Sequence, residues 1–308
     1  MNITIEWFGV ATFRLTIGEL VLFLDAYMDR VPAAPPVGLR SEDVERADYV
    51  LVGHSHFDHL HGAQHIAKNT GAKVIGSNET ARVLKAHGVA IEQLLRVQGG
   101  EHHRLSEDVT VRVYPSLHAC TWVSASAETG EEHFGHLGLC EDERAQVGGL
   151  NEAIARAIAA GDQLALDLRN HIAKAAGSSN AGGPLVYLIE TPACTIFYQD
   201  TSGCWSGVLR DLRADVAILA ASGRGNLDGE PFQGSLAQFV TREAVALQPR
   251  TVIVGHHDNW LPLTVPEAGA PPLRDISPVR DELARALPET TLLELPFNTV
   301  TPLLAGER

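Results

Sequence analysis

The stretch "DYVLVGHSHFDHLHG", residues 48–62, decides how the rest of the sequence is interpreted. A short apolar run ends at Gly53 and is followed by four histidines and one aspartate within eight positions. An apolar run of this length between polar residues is typical of a strand buried on both faces. The sequence therefore places a dense set of imidazole and carboxylate groups at the end of a buried strand.

The spacing of these side chains predicts two neighbouring metal positions. Residues two apart point the same way in an extended backbone, so His54 and His56 can face one point. Asp58 and His59 follow one turn later and can face a second point close by. Imidazole nitrogens and carboxylate oxygens are typical ligands of zinc. Two such positions would need further donors from other parts of the chain.

Three more candidate donors follow apolar strands elsewhere in the sequence. His118 ends "VRVYPSLH", Asp200 ends "CTIFYQD" and His256 ends "RTVIVGH". Strand ends gather at one edge of a sheet, where loops carried by rigid strands form functional sites. His257 is an alternative to His256 as the donor, and His256 is favoured because it comes first after the strand.

Five further residues near these motifs are weaker candidates for the site. Asp258 is either an acceptor that orients one of the imidazoles or an ordinary turn residue. His61 either supports the histidine cluster or begins the following helix. His133 and His136, in "EEHFGHLG", have the spacing of a helix face and could reach a substrate. His257 is the fifth.

Strand and helix patterns alternate along most of the chain, which predicts a layered α/β fold. Between about residue 120 and residue 183 the strand signals give way to alanine-rich helical spacing, and afterwards the strand pattern resumes. We therefore expect a single domain over residues 1–308 with a helical insertion at about 120–183. The apolar positions with helical spacing in the insertion are Ile154, Ile158, Leu164, Leu168 and Ile172.

The overall composition limits which binding partners and which cellular compartment are compatible with the sequence. The chain has 24 basic and 38 acidic residues and a formal charge of −14, which argues against a nucleic-acid backbone held by surface charge. A small anionic substrate remains compatible, because bound cations reverse the charge locally. The four cysteines form no C-x-x-C pair, and no apolar run approaches the roughly 20 residues of a membrane helix. The sequence thus predicts reduced thiols, no membrane span and a cytoplasmic protein.

The donor residues resemble the ligand motifs of the metallo-β-lactamase superfamily. The resemblance lies in "HSHFDH" at 54–59, His118 after "YPSL", Asp200 in "YQDTS" and His256 in "VGHHDNW". It runs from the first hairpin to the last strand and leaves the insertion outside. The resemblance implies an α/β fold of four layers, an αβ/βα sandwich, with a dinuclear metal site at one edge of the sheets.

The resemblance also implies a role for each donor. The first cation is held by His54, His56 and His118, the second by Asp58, His59 and His256, and Asp200 bridges the two. Asp58 and Asp200 help to hold a bridging hydroxide, formed from water whose pKa falls from about 15.7 toward 7 between two cations. Zinc is the default for this ligand set, and Mn²⁺ or Fe²⁺ are compatible alternatives.

The aspartate at position 200 is similar to the bridging residue of glyoxalase II and RNase Z, whereas true β-lactamases usually have a cysteine near there. The segments "IEWFGVATFRL" and "GHHDNW" look most like the branch with ascorbate 6-phosphate lactonase and N-acyl phosphatidylethanolamine phospholipase D. The leading hypothesis is a hydrolase of lactonase or phosphodiesterase type, acting on a small-molecule ester, lactone or phosphoester. The alternatives are a nucleic-acid phosphodiesterase of the RNase Z type and a non-catalytic metal-binding protein. The insertion would cover the substrate or pack on a second copy of the chain.

Overall fold

The computed structural model describes residues 1–120, 150–261 and 273–303. Within these ranges two seven-stranded sheets pack face to face, and helices cover the outer face of each sheet. This arrangement confirms the predicted αβ/βα sandwich.

The first sheet comes mainly from the amino-terminal part of the chain. Its strands are β1 (Ile3–Trp7), β2 (Phe13–Ile17), β3 (Leu20–Leu24), β4 (Tyr49–Leu51), β5 (Lys73–Gly76), β6 (Leu94–Arg96) and β17 (Thr301–Pro302), in the order β17-β1-β2-β3-β4-β5-β6. Strands β1 to β3 are antiparallel, and β3 to β6 are parallel. The tight turn between β2 and β3 contains Gly18 at φ +58°, a conformation that glycine adopts without steric cost.

The second sheet follows the same scheme. Its strands are β7 (His102–Arg104), β8 (Thr110–Pro115), β9 (Leu185–Glu190), β10 (Thr195–Tyr198), β12 (Val216–Ala220), β15 (Thr251–Gly255) and β16 (Thr291–Leu293), in the order β16-β15-β12-β10-β9-β8-β7. Strands β10, β12, β15 and β16 are parallel. A small third sheet contains β11 (Gly203–Cys204), β13 (Asn226–Leu227) and β14 (Glu230–Pro231).

Helices connect the parallel strands and pack on the outer faces. They are α1 (Phe57–Leu60), α2 (Ala63–Thr70), α3 (Asn78–Ala86), α4 (Leu150–Ala159), α5 (Gln163–Lys174), α6 (Ser206–Leu209), α7 (Leu236–Leu247) and α8 (Ser277–Ala286). Ser77 caps α3 by accepting from the Thr80 amide, and Ser235 and Gln238 form a capping box on α7. None of the helices in the described ranges is both long and apolar enough to cross a bilayer.

The main core lies between the two sheets and includes part of the insertion. Helices α4 and α5 bear out the helical pattern seen in the sequence, and Ile154 and Leu168 join the same core as Phe57. Leu164, at the start of α5, is 45% exposed. Cys194 and Cys204 are buried free thiols, Cys120 is also buried, and Cys140 lies outside the described residues.

Parallel pairing brings the ends of several strands to one edge of the sandwich. β3, β4 and β5 run parallel in the first sheet, and β10, β12 and β15 run parallel in the second. The residues that follow β3, β4, β10 and β15 therefore lie near one another, and they include Asp25, His54, Asp200 and His256.

Glu243 is a buried carboxyl group on α7. It is 1% exposed, and its Oε1 accepts a hydrogen bond from Gln199 Nε2 at 2.8 Å. Burial raises the pKa of Glu243 to about 8 from its ordinary value of 4.5. The folded protein therefore keeps this carboxyl protonated at neutral pH.

We expect Glu243→Gln to stabilise the protein above pH 8 and to leave it unchanged near pH 5. Because the pKa is higher in the folded state, the stability from the protonated carboxyl is fully present below pH 4.5 and is lost as the pH rises through about 8. Glutamine has the shape of the protonated form and does not titrate. Urea unfolding of the wild type and the variant at pH 5 and pH 9 measures the difference in their free energies of unfolding, which should be on the order of a few kcal/mol at the higher pH. Equal differences at both pH values would contradict this explanation.

Candidate metal centre

The histidine motif is formed by a turn between β4 and α1. Gly53 N donates to Asp25 Oδ1 at 2.8 Å, and Gly53 O accepts from Leu185 N at 2.8 Å, so both sheets hold the start of the turn. His56 then has extended dihedral angles, φ −65° and ψ 155°, before the chain enters α1. His56 thus lies on extended backbone, and Asp58 and His59 lie on α1.

Three groups of donor atoms among the described residues lie close enough to hold a cation. Within each group the candidate ligand atoms are all within 4.8 Å of one another. The first group is His54, His56 and His118, and the second is Asp58, His59 and His256. The third shares one histidine with each of them and consists of His54, His59 and Asp200. The structure therefore brings together all seven residues that the sequence singled out as donors.

The first group consists of three imidazoles. His54 Nε2 lies 3.0 Å from His56 Nδ1, and the His118 ring centroid is 4.7 Å from that of His54. His118 Nδ1 donates to the Ala119 carbonyl at 2.8 Å, so the Nε2 of the neutral ring carries the available lone pair. Burial and neighbouring imidazoles lower the pKa values of His56 and His118 to about 3. These rings are therefore neutral, which is the form that binds metals.

The second group combines one carboxylate with two imidazoles. Asp58 Oδ2 lies 3.4 Å from His59 Nε2 and 3.6 Å from His256 Nε2. His59 Nδ1 donates to Asp25 Oδ2 at 2.7 Å, which directs Nε2 toward Asp58. Burial opposes a charge on His59, but the Asp58 carboxylate and the hydrogen bonds to Asp25 and Asp58 raise its pKa well above the ordinary value.

Asp200 lies between the two groups. Its Oδ2 accepts from His54 Nδ1 at 2.6 Å and lies 3.5 Å from His59 Nδ1. Its Oδ1 is buried and makes no hydrogen bond within the described residues. Burial raises the pKa of Asp200, although the neighbouring imidazoles of His59, His118 and His256 act in the opposite direction. A neighbouring cation would offset this cost, so the donor set fits divalent metal ions.

The tandem histidines after β15 have different surroundings. His256 contacts Asp58, whereas the His257 ring stacks on Trp7 with centroids 4.6 Å apart. Asp258, for which the sequence left open an acceptor for an imidazole or an ordinary turn residue, accepts from Val10 N at 2.8 Å and pairs with Arg30.

His61 lies at the end of α1, two residues before α2 begins. Its Nδ1 accepts from the Ala176 amide at 3.1 Å, which ties α1 to the segment that returns from the insertion. His133 and His136 fall outside the described residues.

Two residues that contact the histidine motif were not anticipated from the sequence. Asp25 is fully buried, follows β3 and holds His59. Its signal was the polar residue after the apolar strand "LVLFL", the same signal that identified Asp200. His171 on α5 places its Nε2 3.3 Å from the hydroxyl of Tyr27, beside Phe57 of the motif. No pattern in the sequence distinguished His171 from other helical histidines.

Comparison with known families agrees with this geometry. Residues 21–169 match the Beta-lactamase superfamily domain. A UPF0173 metal-dependent hydrolase of Pyrobaculum islandicum is 31% identical over 144 residues, which cover 45% of this chain and 63% of the relative. One from Anaeromyxobacter sp. is 40% identical over 90 residues, or 29% of this chain and 32% of the relative. The chain thus spans less than two thirds of the length of these relatives.

Solved structures show the same fold at low sequence identity. Igni18, a metallo hydrolase from Ignicoccus hospitalis, superposes with a TM-score of 0.59 at 13% identity, over 98% of this chain and 99% of that chain. The isothiocyanate hydrolase from Delia radicum gut bacteria gives 0.56 at 15% identity, over 99% and 100%. CmlA, a diiron β-hydroxylase from Streptomyces venezuelae, gives 0.57 at 13% identity, over 98% and 54%. The chain therefore has the metallo-β-lactamase fold, and its residues 21–169 resemble the Beta-lactamase superfamily domain.

Proposed function

We propose that this chain is a dinuclear metal-dependent hydrolase of a small-molecule ester, lactone or phosphoester. The observation that carries the proposal is the overlap of the three donor groups, since the group with Asp200 takes His54 from one neighbour and His59 from the other. One cation in each outer group would leave Asp200 between them. The assignment of His54, His56 and His118 to one cation and of Asp58, His59 and His256 to the other belongs to this proposal.

Two divalent cations, when bound, supply Lewis acidity and make hydroxide available from water at neutral pH. The chain's own part is to fix the donors. The Ala119 carbonyl accepts a hydrogen bond from Nδ1 of His118, and Asp25 accepts one from Nδ1 of His59. The Nε2 atom of each ring is therefore left for the donor group. Asp58 and Asp200 are the buried carboxylates available to orient water and accept its proton. Because these groups are held before substrate arrives, little reorganisation accompanies the reaction.

A small substrate is favoured by the charge of the chain and by the position of the insertion. The formal charge of −14 opposes a polyanion held on the surface. Helix α5 brings His171 to Tyr27, whose ring contacts Phe57 and Trp260, so the insertion borders the donor groups. Zinc is the proposed metal. Manganese and iron are the other candidates, and CmlA, with the same fold, is a diiron protein.

Metal removal tests this function. We expect a chelator to abolish turnover and Zn²⁺, Mn²⁺ or Fe²⁺ to restore it, in a panel of lactones, phosphodiesters, β-lactams and a short RNA. His54→Ala and Asp58→Ala should lose activity, whereas His87→Ala, which changes an exposed histidine at the end of α3, should keep it. Turnover of the RNA alone would favour the nucleic-acid alternative. Bound metal without turnover of any compound would favour a non-catalytic protein.

A further inference from the structure

The loop after β3 reaches two members of the second donor group. Asp25 at its start accepts from His59. Arg30, five residues later, places Nη2 2.6 Å from Asp258 Oδ2, and the exposed fractions of these two side chains are 3% and 0%. Asp258 is two residues from His256. The same loop therefore contacts His59 directly and approaches His256 through a buried ion pair.

The ion pair is linked to the backbone of His256 through Val10. Asp258 Oδ1 accepts from Val10 N at 2.8 Å, and Val10 O accepts from His256 N at 2.6 Å. His256 has φ +62°, in the left-handed region that non-glycine residues seldom adopt. Such a conformation persists only where the surroundings impose it. The contacts from Asp258 through Val10 provide that constraint.

Gly9 provides the space that the ion pair needs. It has φ +77°, and a Cβ atom at this position would lie 1.7 Å from Arg30 Nη2 and 2.9 Å from Asp258 Oδ2. The Arg30 guanidinium also lies over the Phe297 ring, 5.8 Å from its centroid. The first hairpin and the loops after β3 and β15 therefore meet around this one pair.

A buried ion pair adds little net stability, because desolvation offsets the attraction between the charges. Its better-attested role is to select one conformation. We propose that Arg30 and Asp258 are positioning residues that aim His256 Nε2 at Asp58 and so set the affinity of the second cation. The inference rests on the proposed function, since it assumes that both cations bind.

The effect should be specific to one of the two cations. The first group is oriented by other contacts, namely the Ala119 carbonyl on His118 and Asp200 on His54. Loss of the ion pair leaves those contacts in place. The expected product is a folded protein that binds one cation normally and the other weakly.

The test is a competition titration of the full chain with Zn²⁺ against a chromogenic chelator, with thermal unfolding measured on the same samples. We expect Arg30→Met and Asp258→Asn to weaken one of two equivalents by about 10- to 100-fold and the other by less than about twofold. Arg30→Lys retains the positive charge and should recover most of the lost affinity. The matched control is Arg14→Met, which removes the partly exposed pair with Glu6 at 2.5 Å and should leave both equivalents unchanged.

Three results would overturn the inference. Wild-type affinities in both variants would show that the pair does not act on the site. Equal weakening of both equivalents would indicate a general structural role, and failure of Arg30→Lys to recover affinity would exclude the charge as the cause. A wild-type chain that binds fewer than two equivalents is a different outcome, because it refutes the proposed dinuclear function itself.

Discussion

Asp200→Asn is expected to lower turnover by about a thousandfold or more and to reduce the metal content of the purified protein. Asp200 forms a donor group with His54 from one outer group and His59 from the other, and its Oδ1 makes no hydrogen bond within the described residues. An asparagine keeps the size of the side chain but lacks the charge that would neutralise two cations. A thousandfold loss corresponds to about 4 kcal/mol of lost transition-state stabilisation, a magnitude expected for a metal-site carboxylate.

The matched control is Asp215→Asn, at the opposite edge of the second sheet. Asp215 Oδ2 accepts from Thr195 N at 2.8 Å, so it is also a structural carboxylate beside β10. We expect this variant to lose some stability and to retain its metal and turnover. Steady-state kinetics and metal analysis of both variants distinguish a role of Asp200 at the metal site from a general effect of removing a carboxylate. An Asp200→Asn protein that retains both cations and wild-type turnover would exclude the bridging role.

Gly53→Ala is expected to have the second-largest effect, because the added methyl group would overlap Asp200. An ideal Cβ at Gly53 would lie 2.1 Å from Asp200 Cγ and from its Oδ2. The backbone cannot move away easily, since Gly53 N and O are bonded to Asp25 and Leu185. Overpacking of this kind costs about 1–3 kcal/mol of stability. Displacement of Asp200 by about 1 Å should lower turnover by about 100-fold.

Gly207→Ala is the matched control for this steric argument. Gly207 lies on α6, and no heavy atom lies within 4 Å of its ideal Cβ position. We expect this variant to be as stable and as active as the wild type. Urea unfolding and kinetics on both alanine variants distinguish a local clash at Asp200 from a general effect of adding methyl groups. Full activity in Gly53→Ala would show that Asp200 is not fixed as described.

Much of the fold could be predicted because its signals are local. The run before Gly53 has the pattern of a strand buried on both faces, and "NETARVLKAHG" has a cap and a terminal glycine, so β4 and α3 were recognisable. The order of the strands was not, since it depends on pairing between distant segments. The neighbouring strands β12 and β15 are separated by the whole of α7 in the sequence.

The site shows the same division between local and distant information. His54, His56 and Asp58 could be grouped because two-residue and one-turn spacings determine which way they point. Asp25 was missed because a single aspartate after a strand is common and its partner, His59, lies 34 positions away. The contact of Arg30 with Asp258 depends on how three loops meet, and the sequence has no pattern for that.

The most direct test of the dinuclear centre is an anomalous-difference map from crystals of the zinc-loaded protein. We expect two peaks about 3.5 to 4 Å apart. One should be bound by His54, His56 and His118, the other by Asp58, His59 and His256, with Asp200 between them. A single peak, or peaks bound by other residues, would exclude the proposed dinuclear centre.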